Sequence, residues 1–228
     1  MPVINGLAIV IQAGGQSSRM GQDKALMPFL GKTLIARQVE RLAGLASELL
    51  ITTNRLEEYF FLGLPLFADL LPGLGALGGL FTALAAAREP IVAVVGCDMP
   101  FIVPGLLVAE WDTLRREVRD VVIPRSPNGV EPLLAVYRRE ICLPAVRAAL
   151  EAGERKMTAW FSAVRVLEMT VDEVALYDPE FHSFINVNSP EEFHRAEALG
   201  RQMENAPGAS FQDENKRGNH SGGRTPPA

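Results

Sequence analysis

Short runs of consecutive apolar residues recur through the first half of this chain, each closing on polar or glycine-rich sequence. "LAIVI" (7–11), "ELLITT" (48–53), "IVAVVG" (91–96) and "DVVIP" (120–124) have strand length and are bounded by turn formers. Apolar runs without alternation are the mark of strands covered on both faces. Between them the period becomes helical. A helix is predicted after Gly31, starting near Thr33 as N-cap, with Ile35, Val39 and Leu42 on one stripe. "GGLFTALAAA" (78–87) is helical in tendency, and a helix from about Pro104 to Val118 follows the third strand.

The second half is less regular. "EPLLAVYR" (131–138) and "AVRVLEM" (163–169) predict strands, with a helix over 139–152 between them. "SFINVNSPEEFHRAEAL" (183–199) predicts a strand, a turn and a helix, the last with Ser189 and Glu192 as a capping box and Pro190 at the first helical position. Alternating βα units of this kind specify an α/β fold with a mainly parallel sheet, in which ligands gather at the carboxyl ends of the strands. The first three predicted strands end at Gln12–Gly15, Asn54 and Asp98. Those ends are where chemistry is expected.

Length and composition narrow the picture. The 228 residues suit one domain, assigned to 1–203, and 48% are hydrophobic, enough for a substantial core. From Glu204 the composition turns polar, with Phe211 the only large apolar residue, and 204–228 is expected to be a disordered tail. A net charge of −5 offers no broad basic face for nucleic acid or anionic lipid. Cys97 and Cys142 cannot form a four-ligand zinc site, and His182, His194 and His220 show no close ligand spacing. From Phe60 to Ala87 the only charge is Asp69, but Pro65, Pro72 and five glycines argue against one lipid-spanning helix. The N-terminus lacks the basic region and the apolar length of a signal peptide, so cytoplasmic residence without membrane association is expected.

The candidate chemistry starts at "IVIQAGGQSSRMGQDK" (9–24), a strand running into a loop of glycines, hydroxyls and cations. Its spacing is neither the dinucleotide G-x-G-x-x-G nor the Walker G-x-x-x-x-G-K-[ST] pattern. Gly14 and Gly15 free backbone N–H groups to approach an anion, while Ser17, Ser18, Arg19 and Lys24 add donors and charge. A plain surface loop has similar composition; position after a buried strand favours phosphate. Asp98, at the end of another apolar strand, suits Mg²⁺, which takes few protein ligands and keeps waters and phosphate oxygens. A turn or cap aspartate is the alternative. Asn54 and Asp69 read equally as turn formers, and "LPGLGALGG" (71–79) as a linker or a close backbone approach to a flat ligand. Cys97 reads as a small buried residue, since nothing near it in sequence would activate a thiol. Arg155 and Lys156 in "GERKM", and Asn186 and Asn188 in "NVN", suit a second anionic substrate or ordinary surface and turn positions.

Taken together, these pieces resemble the molybdenum cofactor guanylyltransferase family of nucleoside triphosphate transferases. The family's L-A-G-G-x-S-x-R-M-G-x-D-K reads here "QAGGQSSRMGQDK", and "GKTLI", "TTNR", "GALGG", "GCDMPFI", "EPLLAVY", "GERKM" and "NVNSPEE" follow in family order, spanning about 7–199. The resemblance implies a Rossmann-like three-layer α/β/α sandwich of the nucleotide-diphospho-sugar transferase kind. It also implies transfer of GMP from GTP to Mo-molybdopterin, with Mg²⁺ as cofactor and pyrophosphate leaving. Carried over by position, Gln12, Ala13, Gly14 and Gly15 would contact GTP, Lys24 its phosphates, and Asn54 and Asp69 the nucleotide. Asp98 would bind nucleotide and metal, while Arg155, Lys156, Asn186 and Asn188 would face molybdopterin. Molybdopterin-delivering or molybdoenzyme maturation proteins are partners implied by the family alone. Two departures stand out: Gln12 replaces the family leucine, placing an amide where an apolar contact with base or ribose is expected, and Glu131 stands where some members carry histidine.

The physical chemistry agrees with that activity. The attacking phosphate, with a second pKa near ~6, is largely dianionic at neutral pH and needs no general base. Bringing two polyanions together is the difficulty, so cations, metal and N–H dipoles must offset repulsion. Arg19 and Lys24 are therefore expected to hold the leaving pyrophosphate and Asp98 to position the metal, the three making the catalytic set. Guanine offers N1–H and an amino group as donors, which makes Asp69 a candidate for base selection. A cytidylyltransferase of the same pterin, a sugar-phosphate nucleotidyltransferase, or a non-catalytic nucleotide-binding protein would share much of this pattern.

Overall fold

A computed structural model of the chain describes residues 3–13 and 23–205. Strand β1 (Ile4–Gln12) is an interior strand of the main sheet. A small antiparallel hairpin, β2 (Pro28–Phe29) and β3 (Lys32–Thr33), precedes α1 (Leu34–Leu42), whose N-cap is Thr33 as expected. The chain continues through β4 (Ala46–Thr52), α2 (Leu56–Tyr59), β5 (Leu66–Phe67), α3 (Gly75–Ala86) and β6 (Ile91–Gly96). Then come α4 (Pro104–Arg116), β7 (Val121–Ser126), β8 (Gly129–Val130), β9 (Leu134–Arg138) and α5 (Arg139–Glu151). The described chain closes with β10 (Val166–Met169), α6 (Val171–Ala175) and α7 (Pro190–Asn205).

The sheet order is β10-β7-β9-β6-β1-β4-β5, with β8 hairpinned onto β7. All pairings along this order are parallel except those of β9, which runs antiparallel to β6 and β7. Alternate residues of β1 feed separate cores. Leu7, Ile9 and Ile11 pack with Ile35 of α1 and Leu106 and Leu107 of α4, while Ala8 and Val10 pack with Leu80 and Leu84 of α3 and Val146 of α5. That is a three-layer α/β/α sandwich, and it explains why the strands are apolar throughout. A third cluster, Phe29, Leu34, Phe101, Val187 and Phe193, fastens α7 to the hairpin and α1.

The segment with membrane-like composition becomes a short turn, the edge strand β5 and the buried helix α3, and no helix of the described residues is long and apolar enough to cross a membrane. One predicted strand is absent. Residues 182–184 form a 3₁₀ turn because the Asp178 carboxylate accepts the N–H groups of His182 (2.9 Å) and Ser183 (2.7 Å), curling the backbone away from extension. The chain beyond it returns toward the centre of the sheet, where the Val187 N–H donates to the Asp98 carbonyl at 3.0 Å.

Candidate active site

β1 pairs with β4 on one side and β6 on the other, so the connections diverge at its carboxyl end, a topological switch point. Gln12 lies in register with Thr52 of β4 and Gly96 of β6. Beyond them a cleft of about 630 Å³ opens. It is lined by Gln12 and Ala13 from β1, Asp23 and Lys24, Thr53, Asn54 and Arg55 after β4, and Asp69 after β5. Gly73, Gly75 and Ala76 at the start of α3, Gly96, Cys97 and Asp98 after β6, and Leu133 before β9 complete it. Six of the residues singled out from the sequence, Gln12, Ala13, Lys24, Asn54, Asp69 and Asp98, therefore share one cavity.

Its charged centre is a lysine–aspartate pair. Lys24 Nζ donates to Asp98 Oδ2 at 2.9 Å and to Asn188 Oδ1 at 2.8 Å. Lys24 starts a 3₁₀ turn capped by Asp23, whose Oδ1 accepts the Ala25 N–H and whose Oδ2 accepts the Tyr59 hydroxyl at 3.0 Å. Burial and the neighbouring acids push the Tyr59 phenol well above its ordinary pKa, so it remains a donor. The Asp98 loop is braced from below by Gln38, an almost fully buried amide in α1 that donates to the carbonyls of Gly96 and Met99, both at 2.8 Å. A Cβ on Gly96 would meet Asp98 Oδ1 at 2.7 Å, so glycine there leaves room for the carboxylate to fold over the strand end.

At the opposite wall, Asn54 and Asp69 form a reciprocal pair: Asn54 Nδ2 donates to Asp69 Oδ2 at 2.8 Å, and the Asp69 N–H donates to Asn54 Oδ1 at 2.9 Å. α3 begins at this wall without a side-chain N-cap. Its first N–H groups are available to a ligand oxygen, and the helix dipole favours negative charge there. Gly73 and Gly75 adopt positive φ (82° and 65°), the left-handed conformation that lets this turn form.

Gln12 has an unforeseen orientation. Its side chain tucks beneath α3, where Nε2 donates to the Ala76 carbonyl at 3.4 Å and Oε1 is buried with no hydrogen-bond partner among the described residues. A Cβ on Gly79 would stand 2.1 Å from that Nε2. Glu131 is held by the Ser126 hydroxyl at 2.7 Å; burial raises its carboxyl pKa, the Ser126 bond opposes that shift, and the charge of Asp98 adds to it. Cys97 lines the cleft, but burial first and then the Asp98 charge push its thiol up to about 12, so it is no nucleophile at neutral pH.

Arg155 and Lys156 are exposed and do not line this cleft, nor does Asn186, while Asn188 reaches it through Lys24. Gly14, Gly15 and Arg19 lie outside the described residues. Sequence reasoning passed over Asp23, Arg55 and Gln38; the first two sit inside "QDK" and "TTNR", and only Gln38, a polar residue in an apolar helix face, carried no local signal. Among the described residues no group of three or more His, Cys, Asp or Glu could hold a metal ion by itself. One carboxylate beside an open cleft still fits Mg²⁺, which draws most of its ligands from water and substrate phosphates.

The comparisons with known proteins agree with this geometry. A family described as the MobA-like NTP transferase domain matches residues 9–168. A probable molybdenum cofactor guanylyltransferase from Chloroflexus aggregans is 36% identical over 206 residues, covering 87% of this chain and 97% of the relative. Another from Pelotomaculum thermopropionicum is 37% identical over 191 residues, covering 83% and 91%. Among solved structures, molybdopterin-guanine dinucleotide biosynthesis protein A from Archaeoglobus fulgidus superposes with a TM-score of 0.75 at 25% identity, covering 87% of this chain and all of that one. A 2-C-methyl-D-erythritol 4-phosphate cytidylyltransferase from Thermus thermophilus shares the fold at a TM-score of 0.63 and 19% identity, covering 88% of this chain and 100% of that one. With the switch-point cleft, the lysine–aspartate pair and a family match over most of its length, this chain belongs to the MobA-like NTP transferases.

Proposed function

We propose that this protein transfers GMP from GTP to the terminal phosphate of Mo-molybdopterin, releasing pyrophosphate and forming the guanine dinucleotide cofactor. The observation that carries the reading is the convergence of Lys24, Asp98, Asn54 and Asp69 on one strand-end cleft in a chain whose relatives bear that activity in their names. GTP would lie along the carboxyl ends of β1 and β4, with its phosphates toward Lys24 and the uncapped start of α3. Lys24 offers its third ammonium hydrogen to the phosphates, since two are engaged by Asp98 and Asn188. Arg19 would add a second cation to the leaving pyrophosphate.

Asp98 would hold Mg²⁺, which when bound supplies Lewis-acid stabilisation of the transferring phosphate. The acceptor phosphate arrives already ionised, so no residue needs to remove a proton. Asp69, whose Oδ2 is engaged by Asn54, presents its second oxygen as an acceptor for guanine donors. Gln12, turned beneath α3, supports the base-side wall instead of supplying an apolar contact. Arg155, Lys156 and Asn186 are assigned to the pterin side by motif position. The cytoplasm, where the triphosphate is plentiful, is the expected compartment, and molybdopterin-delivering proteins are the expected partners.

The test is purified protein with Mo-molybdopterin, Mg²⁺ and each nucleoside triphosphate in turn. Pyrophosphate release with GTP and little with CTP is expected. CTP preference, or release only with a sugar phosphate as acceptor, overturns the assignment.

A further inference from the structure

We infer that Asn188 is a positioning residue for Lys24, holding the ammonium for the nucleotide phosphates, and not a ligand of the acceptor pterin. The inference rests on the nucleotidyltransfer reading above and concerns how its cation is kept in place.

Lysine is a compact charge on a flexible four-carbon stem, and without a second anchor it can settle wholly onto a neighbouring carboxylate. Here Nζ lies between Asp98 Oδ2 at 2.9 Å and Asn188 Oδ1 at 2.8 Å. The two acceptors differ in kind. Asp98 is anionic and is itself wanted by a metal ion, so its hold on Lys24 competes with the charge balance of the reaction. The Asn188 carbonyl is neutral; it can fix Nζ without neutralising it, and it keeps that hold when Asp98 turns to another cation.

The mount of Asn188 is correspondingly firm. Its own N–H donates to Glu192 Oε2 at 2.7 Å, and Glu192 is locked to Ser189 in both directions of the capping box at the start of α7. The preceding Val187 is fully buried in the cluster with Phe29 and Phe193, and its N–H is bonded to the Asp98 carbonyl. Asn188 thus follows a residue tied to the backbone of Asp98 and holds Lys24 through its own side chain. Replacing the Asn188 side chain removes its bond to Lys24 but leaves the backbone bonds of Asn188 to Glu192 and of Val187 to Asp98 intact.

The experiment is calorimetric titration of GTP, with Mg²⁺ and without pterin, into the full chain carrying Asn188→Ala, with Asn188→Leu repeating the measurement without loss of volume. Loss of a hydrogen bond to a charged group predicts GTP binding about tenfold weaker or more. Asn188→Gln, which keeps a carboxamide acceptor, should recover most of it, and the apparent KM for Mo-molybdopterin at saturating GTP should stay within about twofold. Unchanged GTP affinity, with or without a raised pterin KM, overturns the inference. Failure of the unaltered protein to bind GTP instead overturns the functional reading beneath it.

Discussion

Replacing Gly79 by alanine tests whether the Gln12 amide really occupies the space beneath α3. The added Cβ would stand 2.1 Å from Gln12 Nε2, 2.5 Å from Cδ and 3.0 Å from Oε1. Relief requires the amide to move by more than an ångström, yet Gln12 is only 5% exposed and would surrender its bond to Ala76. Overpacking of this kind costs about 1–3 kcal/mol. Against it stands the helix preference of alanine over glycine, about 1 kcal/mol. The balance is a destabilisation of roughly 0–2 kcal/mol in the native background. With Gln12→Ala in place the obstruction is gone, and the same substitution should stabilise by about 1 kcal/mol. Urea denaturation of the four proteins in this cycle gives the coupling directly, expected at about 1–3 kcal/mol. Equal effects of Gly79→Ala in both backgrounds, within about 0.5 kcal/mol, would refute the placement of the Gln12 side chain.

Other expectations follow from the same structure. Lys24→Ala should lower turnover by orders of magnitude, and Asp98→Ala should abolish Mg²⁺-dependent turnover while circular dichroism shows the fold intact; near-normal turnover of a folded Asp98→Ala protein removes the metal assignment. Asp69→Asn should erode the preference for GTP over CTP in a competition assay, and an unaltered preference ends its role in base selection. Glu110 in α4 is fully buried with both carboxylate oxygens unpartnered among the described residues, and burial raises its pKa well above the ordinary carboxylate value. The folded state therefore retains a proton that the unfolded chain releases, so this residue's contribution is fully present below pH ~4.3 and is lost as pH rises toward the folded-state pKa, by up to about 1.4 kcal/mol per pH unit. Glu110→Gln should remove that slope and raise the urea midpoint at pH 7, the gap from the native protein closing near pH 4; identical pH profiles would contradict it.

The fold was legible where burial dictates composition. The β6 run "IVAVVG" is covered on both faces, and its predicted and observed limits coincide at 91–96. Thr33 and Ser189 announced their helices because capping is a local transaction between a side chain and nearby backbone. What stayed hidden was decided at a distance. Nothing in "LLAVYR" shows that β9 inserts antiparallel between β6 and β7, since an apolar strand looks the same in either direction. The segment 183–188 has strand-like composition, but Asp178 captures the N–H groups of His182 and Ser183 at its start and curls it into a turn. The site followed the same division. Strand ends pointed to Gln12, Asn54 and Asp98, while the meeting of Lys24 with Asn188, separated by 164 positions, is a product of tertiary packing. The Gln12 departure was visible as a letter, though its direction depended on the gap left by a glycine in another element.

The reversed strand β9 has a consequence for how such an enzyme can diversify. A strand running parallel to β6 could contribute to the cleft only with its last residues. β9 instead starts at the carboxyl end of β6, so the hairpin of β7 and β8 and the turn at 131–133 deliver Glu131 and Leu133 beside Asp98. The wall built from β1, β4 and α3, proposed above to hold the nucleotide, and this second wall therefore have separate addresses in the gene. On the proposed function, changes in length or sequence between 126 and 133 would reshape the acceptor side of the cleft without disturbing the side assigned to the base, so that a single scaffold could keep its donor while trading its acceptor.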